Sequence, residues 1–323
     1  MSNFFKNLKE RFQGPGRVVI QTHDYPDFDA VAAAFGFSYL LKEMKPVIVA
    51  GGDVDSYSLQ ETMKQLKIPL IPLDEWVGQP EDKILLVDSN PNGLNVTMAP
   101  GRLSGVVDHH PVSMSVCDCF IDIRANYGSC SAMVYSYFTE VNLQPPSGVA
   151  TALMMGIMMD TGFLTRGVSP EDLEAFNHLY FIGDWRLGSY LLKNSLTVVA
   201  IPRFQEALTH FRVDRGFGFS CLEGQAGAET IALIADDFMR FHEIHFVVVA
   251  APFGTSWKIS ARSEDPLIPA GGVIQRALLD LGPGGGHIHM GGGSVTSQRF
   301  PGADELFRRF REAIDYFIRK GSV

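Results

Sequence analysis

The sequence predicts an α/β protein of two domains, with helices on both faces of a parallel sheet in the first domain and a mixed sheet in a smaller second domain. Two observations support this class. Apolar strand-like segments alternate with helical segments from Arg17 onward, which is typical of right-handed crossovers between parallel strands. The chain has 323 residues, more than one typical domain contains. We expect a cleft between the two domains to hold the functional site.

The elements of the first domain follow from apolar periodicity and from turn residues. A short amphipathic helix is predicted before the Gly14-Pro15-Gly16 turn. Strands are predicted at 18–22, 46–50, 84–87, 104–107 and 120–123. Helices are predicted at 29–44, 59–66, 129–141, 147–161, 170–182 and 185–194. The first domain is therefore placed at 1–194 and a linker at 195–202.

The second domain is placed at 203–323, where a new strand pattern begins. Strands are predicted at 217–221, 244–250, 256–263 and 294–299. Helices are predicted at 229–241, 273–281 and 303–319, the last with apolar residues on one face. A glycine-rich turn is predicted between the second of these helices and the last strand.

Charge and composition limit the classes of partner. The net charge of -9 argues against a long DNA or RNA duplex, whose binding depends on a basic surface, but it permits a short anionic ligand. The four cysteines lack zinc-site spacing, and we expect buried free thiols in a reducing cytoplasm. They are Cys117, Cys119, Cys130 and Cys221. No signal-peptide pattern and no apolar run of ~18 residues is present, so a cytoplasmic protein without membrane contact is expected.

Histidine and aspartate side chains follow several apolar segments directly. Three of these segments are predicted strands and the fourth is an apolar helix. The residues concerned are His23, Asp27, Asp29, Asp88, Asp108, His109, His110 and Asp160. Because parallel strands end at the same edge of a sheet, one rim can collect all eight side chains.

These residue types predict a site for two divalent cations. Imidazole nitrogen with several carboxylates suits Mn²⁺, which we favour, or Mg²⁺, and the absence of cysteine ligands disfavours a structural zinc site. Two ions ~3.5 to 4 Å apart would let a bridging hydroxide attack phosphorus, with Asp88 as the bridging carboxylate. The alternative for a single aspartate is a helix N-cap, a role that Asp29 could take before Ala30.

The motifs resemble those of the DHH phosphoesterases, in the subgroup with a DHH-associated C-terminal domain, over nearly the whole chain. The resemblance implies one metal ion bound by His23, Asp27 and Asp88. It implies a second ion bound by Asp29, Asp88, His109 and Asp160. It further implies that Asp108 orients a histidine and that His110 faces the substrate phosphate and protonates the leaving oxygen.

The last motif of the resemblance is a glycine run followed by histidine in the second domain. Glycines let backbone N–H groups approach a phosphate, and an arginine in a neighbouring strand offers it a planar fork. The implied substrate-binding residues are Ser260, Arg262, Gly284, Gly285, Gly286 and His287. The alternatives are a plain glycine loop and a surface ion pair of Arg262 with Glu264 or Asp265.

The resemblance implies a metal-dependent phosphodiesterase that hydrolyses short oligoribonucleotides, or linear or cyclic dinucleotides, to nucleoside monophosphates. The alternatives are a 3′-phosphoadenosine 5′-phosphate phosphatase and a sensor that binds a dinucleotide without cleaving it. A pyrophosphatase is disfavoured because its Lys- and Arg-rich C-terminal motif is absent. Two positions depart from the family pattern, Phe28 between the two aspartates and Gly291-Gly292-Gly293 where alanines are common. Relatives often pair through the first domain, so a homodimer is expected.

Overall fold

The computed structural model describes residues 4–54, 56–93, 95–110 and 118–321. The chain divides into two compact units between Ser195 and Leu196, inside the segment predicted as a linker. Among the described residues, none of the helices combines the length and the apolar character that crossing a membrane requires.

The first unit contains a six-stranded sheet in which every described pairing is parallel. Its strands are β1 (Val18–Gln21), β2 (Val47–Ala50), β3 (Leu70–Pro72), β4 (Lys83–Val87), β5 (Arg102–Asp108) and β6 (Phe120–Ile123). Their order is β3-β2-β1-β4-β5-β6, so the direction of strand addition reverses between β1 and β4. A reversal of this kind opens a crevice at the carboxyl ends of the two strands, where ligands bind in open α/β sheets.

The described helices of the first unit follow the predicted segments closely. They are α1 (Phe4–Arg11), α2 (Phe28–Leu40), α3 (Tyr57–Leu66), α4 (Cys130–Glu140), α5 (Ser147–Asp160), α6 (Pro170–Ile182) and α7 (Trp185–Lys193). The first long helix ends earlier than predicted, at Leu40, and continues as a short 3₁₀ helix over Lys42–Met44. Strand β3 was not predicted, because three half-buried residues carry almost no periodic signal.

The two faces of the first sheet are covered differently. One face, which includes Ile20 and Leu85, packs against the buried side chains of the helices. The opposite face, which includes Val19, Ile84 and Leu86, is covered by side chains from residues 73–76 and 96–99. The α/β class is confirmed. Helices were predicted on both faces of this sheet, whereas the described helices pack on one face. The reason is that the described parts of the β4–β5 and β5–β6 connections contain no helix.

The second unit contains a mixed six-stranded sheet, as predicted. Its strands are β7 (Arg212–Asp214), β8 (Phe217–Cys221), β9 (Phe246–Phe253), β10 (Ser256–Ser263), β11 (Gly284–Gly286) and β12 (Met290–Thr296), in the order β11-β12-β10-β9-β8-β7. Only the described pairing of β8 with β9 is parallel. The described helices are α8 (Ile201–Thr209), α9 (Ala228–Phe238), α10 (Ala270–Ala277) and α11 (Ala303–Gly321), after a 3₁₀ turn at Val198–Ala200. Buried side chains of α10 and α11 pack on one face of this sheet, and those of α8 and α9 pack on the other.

The cysteines only partly match the prediction. Cys130 and Cys221 are free thiols, and burial raises the pKa of Cys221 to about 12. Cys119 is disulfide-bonded, so the prediction of a free thiol is wrong there. Cys117 lies outside the described residues.

Candidate metal centre

Side chains with metal-ligand chemistry gather at the carboxyl edge of the first sheet. His23 follows β1, Asp88 follows β4, and β5 ends at Asp108, directly before His109 and His110. The start of α2 and the end of α5 add three aspartates, which are Asp27, Asp29 and Asp160. Three groups of these residues have ligand atoms within 4.8 Å of one another.

Asp88 belongs to two of these groups. Its carboxylate is buried, and its backbone has a φ of 53°, a left-handed conformation that is uncommon outside glycine. The Asp88 N–H donates to the Val107 carbonyl at 2.9 Å, which holds the turn against β5. Such a conformation costs about 1 to 3 kcal/mol and persists where the surrounding structure enforces it, often at functional sites.

The first group contains His23, Asp27 and Asp88. The Nδ1 of His23 lies 2.9 Å from the Asp24 carbonyl. Because a carbonyl only accepts hydrogen bonds, Nδ1 carries a proton, and Nε2 is the nitrogen that can bind a cation. Nε2 lies 3.9 Å from Asp27 Oδ2 and 3.9 Å from Asp88 Oδ2. Three donors of the kind that bind divalent cations therefore face one another.

Asp27 has a second function as the N-cap of α2. Its Oδ1 accepts hydrogen bonds from the N–H groups of Asp29 and Ala30, each at 3.0 Å. The alternative that Asp29 caps this helix is wrong, because the cap lies two residues earlier. One oxygen of Asp27 thus fixes the helix and the other is directed to His23.

The second group contains Asp29, His109 and Asp160. The buried carboxylate of Asp29 reaches the first turn of α4, where it accepts hydrogen bonds from the N–H groups of Cys130 at 2.6 Å and Ser131 at 2.8 Å. Two N–H donors at a helix N-terminus stabilise a carboxylate and fix its direction.

His109 connects the second group with Asp88. Its Nδ1 lies 3.2 Å from the Tyr127 carbonyl, which places the proton on Nδ1. Its Nε2 lies 3.1 Å from Asp160 Oδ2 and 3.3 Å from Asp88 Oδ1. Both His109 and His23 therefore use a backbone carbonyl to direct Nε2 at carboxylates.

His110 is held by Asp108, and Asp88, His109 and His110 form the third group. Its Nδ1–H donates to Asp108 Oδ1 at 2.7 Å, and its backbone N–H donates to the same oxygen at 3.1 Å. The Asp108 side chain is fully buried, whereas 31% of the His110 side chain is exposed. Part of this imidazole therefore reaches the solvent.

The centre contains several buried carboxylates close together, an arrangement that a bound cation would stabilise. Burial, followed by the carboxylates of Asp88 and Asp160, raises the pKa of Asp29 well above its usual range. Burial also raises the pKa of Asp88, against the opposing effect of His109. Burial lowers the pKa of His109, but Asp160 and Asp88 outweigh it and the net shift is strongly upward. Without a cation, protons take its place.

Unpartnered polar atoms test whether the residues fit a metal ion. Among the described residues, Asp88 Oδ1, His109 Nε2 and Asp108 Oδ2 are buried without a hydrogen-bond partner. Such atoms are rare in folded proteins, because burying an unpaired polar group costs on the order of 1 to 3 kcal/mol. Two of them belong to the metal-ligand groups. The donor set of oxygen and imidazole nitrogen fits a divalent cation such as Mn²⁺ or Mg²⁺.

Gly156, which no sequence motif singled out, supports the second group from α5. A Cβ at this position would lie 2.2 Å from Ser131 Oγ and 2.9 Å from Asp29 Oδ1. Only glycine lets α5 approach the Asp29 carboxylate so closely. A glycine inside an apolar helix was the available signal, since it lowers helix propensity without a local reason.

Gly156→Ala is expected to destabilise the fold by about 1 to 3 kcal/mol and to lower activity by displacing Asp29. The control is Gly148→Ala in the same helix, where an added Cβ has no atom within 4 Å. The control should be unchanged or up to ~1 kcal/mol more stable. Ser131→Ala should partly restore stability in the Gly156→Ala background. Equal melting temperatures for both alanine variants would refute this account.

In the second unit, the structure places Arg262 and Ser260 together on β10. The Arg262 guanidinium is buried and bonds Asp236 of α9 at 2.5 Å and 3.2 Å, and Ser260 Oγ at 3.0 Å. The alternative of a surface ion pair with Glu264 or Asp265 is wrong. The partner is Asp236, which the sequence did not indicate because it lies 26 residues from Arg262 along the chain.

The glycines at 284–286 form strand β11, not a plain loop. Gly285 pairs with Gly292 of β12, and Gly292 pairs with Ser260 of β10, so the three residues lie in one row across the sheet. A Cβ at Gly284 would lie 2.4 Å from Ile274 Cγ2 of α10. The exposed His287 follows β11, and its N–H donates to the Met290 carbonyl at 2.7 Å. At least one of these glycines is therefore required by helix packing.

Two related proteins match this chain in sequence over part of their own length. An uncharacterized protein of Methanocaldococcus jannaschii is 23% identical over 273 residues, 84% of this chain and 56% of that protein. A probable manganese-dependent inorganic pyrophosphatase of Lactiplantibacillus plantarum is 29% identical over 172 residues, 50% of this chain and 54% of that protein. The chain thus spans little more than half the length of these relatives.

The fold is similar to the crystal structure of an exopolyphosphatase-related protein from Bacteroides fragilis. The TM-score is 0.76 and the identity is 17%, over 97% of this chain and 96% of that chain. Residues 17–157 match the family model described as the DHH family, N-terminal domain. This range carries seven of the eight residues described at the sheet edge, and Asp160 follows it by three positions. The match to the DHH family, N-terminal domain, therefore lies within the first unit.

Proposed function

We propose that the protein is a metal-dependent phosphodiesterase that hydrolyses short oligoribonucleotides, or linear or cyclic dinucleotides, to nucleoside monophosphates. The observation that carries this proposal is that the two carboxylate oxygens of Asp88 face two different histidines. Its Oδ2 faces His23 and its Oδ1 faces His109, at 3.9 Å and 3.3 Å. A carboxylate with one oxygen in each ligand group suits a bridge between two cations.

One proposed ion takes the first group, and the other takes the second group together with Asp88, whose Oδ1 lies 3.3 Å from His109 Nε2. One ion would be held by His23, Asp27 and Asp88. The other would be held by Asp29, Asp88, His109 and Asp160. When bound, two divalent cations, with Mn²⁺ favoured, would activate a water molecule and neutralise charge on the phosphate in the transition state.

His110 is the proposed general acid. Hydrolysis forms one bond from water oxygen to phosphorus and breaks the bond from phosphorus to the leaving oxygen, which must gain a proton. Burial lowers the pKa of His110, but Asp108 and Asp88 outweigh it, and the net upward shift favours the protonated imidazole. The hydrogen bond from Nδ1 to Asp108 orients the imidazole, and its Nε2–H is the proposed proton donor to the leaving oxygen.

The proposed substrate contacts in the second unit are Ser260, Arg262, Gly284, Gly285, Gly286 and His287. Asp236 aligns the Arg262 guanidinium through Nε and Nη2. Nη1 donates to Ser260 Oγ and to the Ala261 carbonyl. A phosphate would therefore meet an arginine whose geometry is already fixed, which reduces the entropy lost on binding.

A substrate panel tests the proposal. The full-length protein with Mn²⁺ should release AMP from linear 5′-pApA faster than it releases phosphate from 3′-phosphoadenosine 5′-phosphate or from pyrophosphate. Cyclic di-AMP is tested in the same assay as the cyclic dinucleotide. Fastest release of phosphate from 3′-phosphoadenosine 5′-phosphate would support the phosphatase instead. Turnover of pyrophosphate alone would favour the activity that the name of the L. plantarum relative states. Saturable binding of pApA without product would favour a sensor. The same sample in size-exclusion chromatography with light scattering tests the proposed homodimer.

A further inference from the structure

A cavity of about 450 Å³ lies beyond the carboxyl ends of β2 and β3. It is lined by Tyr25, Gly51, Gly52, Asp53, Leu73, Asp74 and Thr97. None of these residues belongs to the metal-ligand groups, and none is basic. The cavity is therefore distinct from the metal centre, and it offers no positive charge to a phosphate.

The Tyr25 ring is fixed although 61% of the residue is exposed. The Tyr25 N–H donates to the Gly51 carbonyl at 2.8 Å, and a Cβ at Gly52 would lie 2.9 Å from Tyr25 Cε1, so the ring rests on the glycine backbone. Tyr25 has a φ of 54°, a left-handed conformation that costs about 1 to 3 kcal/mol in a bulky residue. An exposed aromatic ring on a backbone that is held in a costly conformation points to a contact with a ligand.

Asp24 joins the cavity wall to the metal centre. Its carboxylate accepts hydrogen bonds from Thr97 Oγ1 at 2.7 Å and from the Thr97 N–H at 3.1 Å, which fixes one side of the cavity. Its carbonyl accepts the Nδ1–H of His23 at 2.9 Å. Asp24 therefore contacts both the cavity wall and the first ligand group.

We infer that this cavity binds one nucleoside of the substrate, with its base stacked on Tyr25. This inference rests on the proposed function. Every nucleobase has a face that can stack on an aromatic ring. The carboxylates of Asp53 and Asp74 repel phosphate and accept hydrogen bonds, so they suit the hydroxyl groups of ribose and the amino groups of bases. The volume lies within the range of small-molecule sites. The cavity would make the protein select nucleotides over phosphates that lack a base.

The test replaces Tyr25 and measures both binding and turnover. Tyr25→Ala is expected to raise the KM for 5′-pApA about fivefold or more, with kcat within about twofold. It should weaken binding of AMP by a similar factor in titration calorimetry. Tyr25→Phe should recover most of the lost affinity, because the ring remains. Tyr190→Ala is the matched control, since Tyr190 is 62% exposed and lies on α7.

Modified substrates identify the group that is bound. Two pApA analogues, each with one base removed, should differ, and the analogue that lacks the stacked base should have the same KM with wild type and Tyr25→Ala. Asp53→Asn and Asp74→Asn are compared on ribose and 2′-deoxyribose substrates. Loss of the difference between these two sugars indicates a hydroxyl contact, whereas an equal loss on both indicates a base contact.

The outcomes separate this inference from the proposed function. Equal KM values for pApA and equal dissociation constants for AMP in wild type and Tyr25→Ala overturn the cavity assignment while the phosphodiesterase stands. No turnover of any phosphodiester by the wild type overturns the proposed function. In that case AMP affinity still decides, because a selective loss in Tyr25→Ala supports a nucleoside site. Circular dichroism of each variant checks that it is folded.

Discussion

Asp88→Asn is expected to lower kcat for pApA by about a thousandfold or more, because it removes the carboxylate that is proposed to bind both ions. A thousandfold corresponds to ~4 kcal/mol of transition-state stabilisation, which is the scale of a metal ion's contribution. Steady-state kinetics at saturating Mn²⁺, with metal content by mass spectrometry, measures the effect. The variant should bind less metal than the wild type.

The same substitution is expected to leave the metal-free protein folded, or to stabilise it. Asparagine adopts the left-handed conformation at φ 53° more readily than most residues, so the backbone is retained. Burial raises the pKa of Asp88, so its folded state holds a proton more tightly than the unfolded chain. Stability of the metal-free wild type must therefore fall as pH rises above about 4, the pKa of an unfolded aspartate. Asparagine removes this penalty.

Asp82, at the opposite end of β4, provides a matched control. Asp82 precedes β4 and Asp88 follows it, and both are buried. The ion pair with Arg17, opposed by burial, lowers the pKa of Asp82, so its stabilising contribution is present at neutral pH. Asp82→Asn should lower the melting temperature and preserve kcat, the opposite of Asp88→Asn. Full activity of Asp88→Asn would refute the bridging assignment, and equal loss in both variants would indicate a general effect on folding.

The strand ends of the first unit could be predicted because two patterns coincide there. Apolar runs mark buried parallel strands, and polar residues with ligand chemistry follow directly after Gln21 and Val87. The topology then brings these ends to one edge without further information. The grouping of His23 with Asp88 is therefore visible in the structure at the position that the sequence suggested, and their action as ligands is part of the proposed function.

Other features depend on contacts that sequence spacing does not encode. The left-handed backbone of Asp88 depends on its hydrogen bond with Val107 of the neighbouring strand. The N-cap of α2 is Asp27, whereas the sequence offered Asp29 as an alternative cap, because the helix begins one residue earlier than predicted. Asp236 of α9 pairs with Arg262, which lies 26 residues further along the chain. The backbone of Asp88 and the pairing of Asp236 with Arg262 are set by tertiary packing, for which local propensity is only a weak guide.

Removal of divalent metal is expected to abolish activity and to lower the melting temperature by roughly 5 to 10 °C. A metal at one hundred times its dissociation constant stabilises the folded state by about 2.7 kcal/mol, and about 1 kcal/mol shifts the melting temperature of a domain of this size by about 2 to 4 °C. Differential scanning calorimetry of the full chain in EDTA, and after addition of Mn²⁺ or Mg²⁺, measures the shift. Recovery of activity ranks the two cations.

The pH dependence makes this test specific for the metal centre. The pKa values of Asp29 and Asp88 are raised, so the metal-free protein loses stability above about pH 4. The pKa of His109 is also raised, and its contribution is present below about pH 6.5 and is lost as pH rises through its folded value. Bound cations remove both losses by favouring the carboxylates and the neutral imidazole. The gap between metal-bound and metal-free melting temperatures should therefore widen from pH 5 to pH 8 and should be smaller in Asp88→Asn. A gap that is constant with pH, or the same in Asp88→Asn, would place the stabilising metal elsewhere on the chain.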